Sequence, residues 1–271
     1  PCAVTIHDLT FFTNPEWHER SKVAFFRRAI TFSAQHASVL ISVSDFTARL
    51  MEEIFPQHAP IVVAPLGVEL DVFDPDSSFD GDLFERHGLP LGSSYILFVG
   101  TVEPRKGLDL LLEAFSEVAR EDDAVELWLC GQVGWGEGPV EESLSTHPFG
   151  ARIRRLGFVH DDLLPGLYRG ARAVAYPSRG EGFGLPVLEA MACGATVVTS
   201  ADTVMAEVAG GEAYLVPVGD AGALAEVLLL ALSETSEDRG ERALRARRRA
   251  ANFTWDRCLD QHQSAYDLAL S

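Results

Sequence analysis

The sequence predicts an α/β fold built from two doubly wound parallel sheets, the first of them incomplete. Three observations carry this prediction. A length of 271 residues leaves room for about two domains, each large enough to bury its own core. Short apolar runs alternate with amphipathic stretches, which is the pattern of parallel βαβ units. The alternation stops once, in the Asp-, Pro-, Ser- and Gly-rich segment 67–94, which we interpret as an interdomain linker.

Before the linker, the pattern predicts three strands joined by two helices. Pro15 suits the first position of a helix, and Ser44 has the side chain of a helix N-cap. The predicted elements are a strand at 3–7, a helix at 15–37, a strand at 38–43, a helix at 45–54 and a strand at 61–65. Within the linker, only residues 82–87 have a helical pattern.

After the linker, the alternation is denser and predicts a complete doubly wound sheet. We expect strands at 95–99, 125–130, 153–157, 172–176, 196–199 and 213–216. The helices between and after them are expected at 107–120, 138–145, 162–170, 186–193, 203–209 and 220–232. Two further helices are expected at 234–251 and 254–270.

The composition excludes several classes of protein. A net charge of −18 disfavours general binding to nucleic acid. No apolar run reaches the roughly 18 residues of a membrane span, and the start has no signal-peptide pattern. The four cysteines lack paired spacing, so neither a zinc site nor a disulfide framework is indicated, and a reducing cytoplasm fits best. We interpret the arginine-rich segment 245–249 as a solvated helix end rather than a membrane patch.

Ligands of such sheets bind beyond the carboxyl ends of the strands, so the loops from strand to helix carry the candidate residues. The first loop, Gly100 to Gly107, presents Arg105 and Lys106 just before a helix. Two adjacent cations beside a helix N-terminus favour an anionic ligand. Surface charge without function is the alternative interpretation for this pair.

The second loop, from Ser178 to Glu189, has three glycines in five positions, at 180, 182 and 184. These glycines let the backbone approach a ligand closely, and Pro186 suits the first helical position, so free amides at 183–187 would attract phosphate. Glu181 and Glu189 can border the same pocket. The combination favours a functional pair of carboxylates.

Other motifs are weaker. The glycine-rich turn 131–138 lacks the G-x-G-x-x-G spacing of a dinucleotide site. His7 and Asp8 follow the first strand, and such a pair is more often structural than functional. The D-x-D motif at 74–76 lies in the Pro-rich linker, so we predict no metal site there. Ser44 lacks a G-x-S-x-G elbow, which favours a capping role over a catalytic one.

Taken in order, these motifs resemble the donor-binding half of the retaining glycosyltransferase family 4, of GT-B fold. Glu181 and Glu189 match the E-x7-E pair of that family. The segments that carry the resemblance are VGTVEPRKGLDLLLEAF at 99–115, LCGQVGW at 129–135 and GFVHDDLLPGLYRGARAVAYPSRGEGFGLPVLEAMACG at 157–194. Three other segments resemble the acceptor-side domain and the linker of that family: TIHDLTFF at 5–12, ISVSDFTARL at 41–50 and APLGVELDVFDPD at 64–76. The HDL and EPRK variants are most similar to the mannosyltransferase-like branch.

The resemblance implies three regions. Residues 1–80 would be part of an acceptor-side Rossmann-like domain with the start of the linker, and 81–252 the C-terminal domain that binds a nucleotide sugar. The helix within 253–271 would pack back towards the N-terminal domain. Family members carry further βα units before the HD segment, so we expect an N-terminally truncated enzyme that binds donor but is itself slow or inactive.

The implied reaction moves a sugar, with mannose as the candidate, from a GDP- or UDP-linked donor to an acceptor hydroxyl with retention of anomeric configuration. It needs neither metal nor another cofactor. Arg105 and Lys106 would hold the diphosphate, and Glu189 the ribose. Glu181 would contact the donor sugar, which His7 would approach from the facing domain. The other positions implied to contact the donor are Gly100, Thr101, Gly131, Phe158, Val159, Gly182, Phe183, Gly184 and Leu185.

One departure from the family pattern and three alternatives stay open. Thr101 stands where the family often has Arg, so Arg105 must supply the second cation or the site is weaker. A glycosidase using Glu181 and Glu189, a nucleotide-sugar epimerase, and a nucleotide-sugar-binding module inactive through truncation are the alternatives. The implied partners are the nucleotide sugar and a saccharide or lipid-linked saccharide acceptor, not nucleic acid. The implied location is the cytoplasm, with peripheral association at the inner face of the membrane left open.

Overall fold

The computed structural model describes residues 1–76, 78, 80–132 and 138–271. These residues divide into two compact units. The first unit contains Pro1–Glu69, Gly180–Leu185 and Phe253–Ser271, and the second contains Leu70–Arg179 and Pro186–Asn252. The predicted α/β class is confirmed, since both units contain parallel sheets flanked by helices.

The first unit begins with a three-stranded parallel sheet in the order β1-β2-β3. Its elements are β1 (Ala3–Ile6), α1 (Thr10–Thr13), a 3-10 helix (Pro15–Trp17), α2 (Arg20–His36), β2 (Val39–Ser42), α3 (Asp45–Ile54) and β3 (Ile61–Val63). Ser44 precedes α3, and its side chain accepts a hydrogen bond from the Thr47 amide. The predicted capping role of Ser44 is thereby confirmed.

The helix predicted at 15–37 is wrong at its start. Pro15 opens a 3-10 helix of three residues, His18 and Glu19 are extended, and the long helix begins only at Arg20. A short helix that the sequence did not predict precedes this break: the Asp8 carboxylate accepts bonds from the Thr10 amide at 2.9 Å and the Thr10 hydroxyl at 2.5 Å. Local side-chain bonds of this kind offer the backbone an alternative to a continuous helix.

The second unit contains a six-stranded parallel sheet in the order β6-β5-β4-β7-β8-β9. Its strands are β4 (Tyr95–Val99), β5 (Glu126–Cys130), β6 (Ile153–Gly157), β7 (Ala173–Tyr176), β8 (Val197–Ser200) and β9 (Tyr214–Val216). Its helices are α4 (Asp80–Arg86), α5 (Leu108–Glu121), α6 (Gly138–Thr146), α7 (Leu164–Gly170), α8 (Leu185–Ala192), α9 (Val204–Ala209), α10 (Ala221–Ser233) and α11 (Ser236–Ala250), with 3-10 turns at Pro104–Lys106 and Gly150–Arg152. All six predicted strands are present.

Strand order reverses between β4 and β7, the two central strands of this sheet. Chain connections leave them in opposite directions, which opens a crevice at their carboxyl ends where open α/β sheets bind ligands. The core beneath contains α5 and α10 packed together, with Phe115, Val118 and Leu228 fully buried. The loops that follow β4 and β7 therefore stand on a rigid base.

The last helix, α12 (Trp255–Leu270), returns to the first unit. Its Ala265 packs with Val39 and Ile41 on one face of the three-stranded sheet. Leu40 points to the opposite face, where it packs with residues of α2 and α3. The backbone enters α12 past Gly67, where a Cβ would lie 2.3 Å from the Trp255 nitrogen. Only glycine fits this close approach.

Candidate functional site

Lys106 lies at the point where the sheet of the second unit reverses its strand order. Its side chain ends beside Tyr176, the last residue of β7, with Nζ 2.7 Å from the phenolic oxygen and 5.2 Å from the ring centroid. Lys106 is only 9% exposed and Tyr176 is fully buried. A buried ammonium needs hydrogen-bond acceptors and offers a strong, compact charge to an anion.

Backbone contacts tie the loop after β4 to the loop after β7. Gly107 adopts a φ of +70°, and a Cβ there would lie 2.2 Å from the Pro177 carbonyl oxygen. The Arg105 carbonyl accepts hydrogen bonds from the Ser178 hydroxyl at 3.0 Å and the Arg179 amide at 2.7 Å. These contacts hold the two loops together.

Arg179 stabilises the contact between the same two loops, a role that the sequence motifs did not predict. Its guanidinium forms a two-pronged ion pair with Asp109 in the first turn of α5, at 2.9 and 2.6 Å, and donates to the Pro104 carbonyl. Such bidentate pairs fix geometry as well as charge. In the sequence, this ion pair is indicated only by an arginine in a glycine-rich loop and by an aspartate near the start of a predicted helix.

The second predicted cation, Arg105, is in a different environment from Lys106. Its Nε lies 3.0 Å from Glu103 Oε2, and both side chains are partly accessible to solvent. A diphosphate would have to share this guanidinium with a carboxylate. The Arg105 side chain is also more exposed than Lys106, at 23% against 9% for the Lys106 residue.

Glycines at the carboxyl ends of β4, β5 and β6 bring the backbones of these three strand ends into contact. The Gly100 amide donates to the Cys130 carbonyl at 2.9 Å, and the Gly131 amide to the Gly157 carbonyl at 2.8 Å. Gly131 has a φ of +138°, and a Cβ there would lie 2.1 Å from the Gly100 oxygen. Residues 133–137 of the predicted glycine-rich turn lie outside the described part of the chain.

A cavity of about 380 Å³ opens beside these glycines. Predicted donor contacts Gly100, Gly131 and Phe158 line it, and the Phe158 ring is exposed. Thr101 and Val159, which are half-buried, follow lining residues directly in the chain. Cys130 and Arg155 also line the cavity. Burial raises the pKa of the Cys130 thiol to about 12, so the thiol stays uncharged.

Glu189 of α8 is half-buried and is held by one hydrogen bond that the sequence did not predict. Its Oε2 accepts from the Tyr168 hydroxyl of α7 at 2.9 Å. Burial raises the pKa of Glu189, and the nearby Asp161 charge acts in the same direction, while the bond from Tyr168 opposes both. Burial beside this carboxylate also raises the pKa of Tyr168, so the phenol remains a hydrogen-bond donor.

The rest of the glycine-rich loop, Gly180–Leu185, belongs to the first unit. The Gly182 carbonyl accepts from the hydroxyls of Ser44 at 3.0 Å and Thr47 at 3.4 Å. A Cβ on Gly182 would lie 1.6 Å from the His7 carbonyl oxygen. Phe183 packs edge-on against Phe253, with ring centroids 5.8 Å apart.

His7 is exposed within the same unit, while Glu181 and Leu185 are half-buried and Gly184 is buried. Thus His7, Glu181 and residues 182–185 share the first unit, whereas Arg105, Lys106 and Glu189 belong to the second. The Asp8 carboxylate is occupied by the amide and hydroxyl of Thr10, the first residue of α1.

The D-x-D motif of the linker has a structural role. Asp74 accepts from the Asp76 amide at 3.0 Å, and its carbonyl accepts from Arg169 at 2.8 Å. Arg169 is also clamped by Asp80, at 2.9 and 2.5 Å. In the described part of the chain, no group of three or more His, Cys, Asp or Glu side chains is arranged to hold a metal ion.

Comparison with known proteins decides the family. The sequence profile of the glycosyl transferases group 1 matches residues 80–252, which is more than half of the chain. The chain belongs to this family. It is 33% identical over 266 residues to the O-antigen chain mannosyltransferase B of Escherichia coli, covering 97% of this chain and 69% of that protein.

A second relative and one solved structure are also similar to this chain. The chain is 30% identical over 195 residues to the Escherichia coli serotype-specific mannosyltransferase WbdA, covering 68% of this chain and 24% of that protein. Sucrose-phosphate synthase from Thermosynechococcus elongatus superposes with a TM-score of 0.83 at 24% identity, covering 99% of this chain and 68% of that one. The fold is therefore of the GT-B type, as the sequence resemblance implied.

Proposed function

We propose that this group 1 glycosyltransferase transfers a hexose from a nucleoside diphosphate sugar to an acceptor hydroxyl with retention of anomeric configuration. The observation that carries the proposal is the buried Lys106 at the strand-order reversal, next to the start of α5. Preorganised positive charge at that point suits a diphosphate, which gains negative charge as its bond to the sugar breaks.

In this proposal, both Lys106 and Arg105 contact the diphosphate. The Lys106 ammonium is already desolvated and oriented by Tyr176, so a phosphate oxygen meets it without reorganisation. Arg105 supplies the second contact but must share its charge with Glu103. The amides at the start of α5 add the positive end of the helix dipole, since a helix N-terminus attracts phosphate.

The nucleoside is proposed to occupy the cavity beside Gly100 and Gly131. Its glycine backbone leaves room for a flat base, and the exposed Phe158 ring offers a face on which a base can stack. Thr101 and Val159 border the same ligand. Glu189 is proposed to accept a hydrogen bond from a ribose hydroxyl, with Tyr168 holding the carboxylate in position.

For the sugar, the proposal keeps the residue roles implied by the sequence. Glu181 and the amides of Phe183, Gly184 and Leu185 would contact the donor sugar and its phosphate, and His7 would approach the sugar. No protein nucleophile is required, because the leaving phosphate oxygen can itself take the acceptor proton. No metal or further cofactor takes part in this scheme.

The two named relatives are mannosyltransferases, which supports mannose as the sugar. GDP or UDP is the proposed carrier. A saccharide or lipid-linked saccharide is the proposed acceptor, and the cytoplasm, at the inner face of the membrane, the proposed location. Within the described residues, none of the helices is both long and apolar enough to cross a bilayer. The proposed attachment to the membrane is peripheral.

The test combines binding with turnover. Calorimetric titration with GDP, UDP and their mannose and glucose derivatives identifies the donor, and nuclear magnetic resonance of the product identifies the anomer. Release of free nucleoside diphosphate should require an acceptor saccharide, and it should be slow in this chain and faster in one extended upstream by about four βα units. Release without acceptor would favour a hydrolase or epimerase, and donor binding without release even in the extended chain would favour the binding-module alternative.

A further inference from the structure

One face of α2 carries two phenylalanines on the surface of the first unit. Phe25 is 67% exposed and Phe32 is 61% exposed. They are seven residues apart, two helical turns, so both lie on the same side of the helix, and Arg28 lies between them. His36 stacks on the Phe32 ring at 4.2 Å. Phe25, Arg28, Phe32 and His36 form the α2 stripe, about 16 Å long.

Positive charge is concentrated on the same helix. Four of the five basic residues before position 70 are Arg20, Lys22, Arg27 and Arg28, and no acidic residue occurs between 20 and 44. The whole chain carries a net charge of −18. Lys22 lies 3.2 Å from Glu19 in an exposed pair, which contributes little. The surface around the α2 stripe is thus locally basic in an acidic protein.

The stripe is held in a fixed orientation by the rest of the unit. On its inner side α2 buries Ala34 against Leu40 and Met51. Arg27 donates to the carbonyl groups of Phe11 at 2.7 Å and Phe12 at 3.3 Å. The exposed aromatic rings are therefore presented by a helix that is already folded.

The other face of the same sheet provides a contrast. On α12, Leu259 is 65% exposed and Leu270 is 72% exposed, so their apolar exposure matches that of the α2 stripe. Their helix carries Asp256, Asp260 and Asp267 against a single basic residue. An anionic surface would be attracted to α2 and repelled by α12.

We propose that the α2 stripe docks this protein on a bilayer containing anionic lipids. The two phenylalanine rings enter the boundary between headgroups and acyl chains, and Arg28 with Lys22 stays at the level of the lipid phosphates. The proposal deepens the peripheral attachment given under the proposed function by naming the surface responsible. A lipid-linked acceptor would then be met at the same bilayer.

Co-sedimentation with vesicles tests it. The 271-residue protein should bind vesicles of phosphatidylcholine mixed with phosphatidylglycerol, and rising salt should weaken this binding. The Phe25→Ser/Phe32→Ser variant should bind at least about tenfold more weakly, because both rings lose their burial. Arg28→Glu should cost about fivefold or more and remove the preference for anionic lipid.

The matched control is Leu259→Ser/Leu270→Ser, which removes equal exposure from α12 and should leave vesicle binding unchanged. Calorimetry with GDP and UDP on the same samples separates this inference from the proposed function, since the α2 variants should bind nucleotide like the parent. Equal vesicle binding by the α2 and α12 variants would overturn the inference. So would self-association of the parent that only the α2 variant abolishes, because a second copy would then cover the stripe.

Discussion

The chain has two lysines, and they occupy opposite kinds of environment. Lys106, in the second unit, is buried and lies 2.7 Å from a phenolic oxygen. Lys22, in the first unit, has a side chain that is 58% exposed and lies on a helix with other cations. A buried charge in a prebuilt pocket suits one compact anion, whereas exposed charges spread along a helix suit an extended surface.

The largest effect should come from removing the cations of the buried region. Arg105→Ala/Lys106→Ala should weaken binding of nucleoside diphosphate by several kcal/mol, at about 1.5–3 kcal/mol per charge-assisted hydrogen bond lost. Lys106→Ala alone should account for most of the loss, since Lys106 is the more buried of the two cations. Calorimetric dissociation constants measure both effects.

Lys22→Ala is the matched control for that experiment. It removes the other lysine and should leave nucleotide affinity unchanged. Parent-like affinity in the double variant would mean that Arg105 and Lys106 are structural or surface charges only.

The next largest effect concerns the glycines that bring the loops of the second unit together. Gly131→Ala should lower the free energy of unfolding by at least about 2 kcal/mol, because it combines a positive φ with a clash against Gly100. Gly240→Ala, in the interior of α11 with nothing within 4 Å of the new Cβ, should instead raise it by up to about 1 kcal/mol. Urea denaturation compares the two, and equal effects would remove the special role of Gly131.

Periodicity predicted the strands and most helices within a residue or two because alternating burial determines them. It failed at Pro15, where Asp8, Thr10 and His18 form local bonds that no periodic pattern contains. The loop motifs predicted Lys106 and Glu189 but not their partners Tyr176 and Tyr168. Those partners come from other βα units, and a contact across 70 or 21 residues has no local signature.

Substitutions of the two motif carboxylates should affect the binding of different parts of the donor, the nucleotide in one case and the sugar in the other. Glu189→Gln should cost about 1.5 kcal/mol for bare nucleotide, since a ribose hydroxyl loses a charged acceptor. Glu181→Gln should reduce affinity only when the sugar is attached. Titrations with GDP and GDP-mannose, or UDP and UDP-glucose, measure the difference. Equal losses with the bare nucleotide would remove this assignment of roles.

The smallest effect is a pH dependence of stability at Glu189. Burial raises its pKa in the folded protein, so the folded state holds this proton to higher pH than the unfolded chain does. Its contribution to stability is therefore present at low pH and is lost as pH rises through the interval above 4.5. Relative to Glu189→Gln, the parent should lose stability between pH 4 and 7, as measured by urea unfolding. A constant difference would contradict the buried setting of this carboxyl.

The central claim is that Lys106 recognises the diphosphate of a nucleotide donor. It is tested most directly by titrating the parent and Lys106→Ala with a nucleoside diphosphate and the corresponding monophosphate. The account predicts that the parent prefers the diphosphate and that Lys106→Ala loses most of this preference while still binding the nucleoside. Failure of the parent to bind either nucleotide, or an unchanged preference in Lys106→Ala, would contradict it.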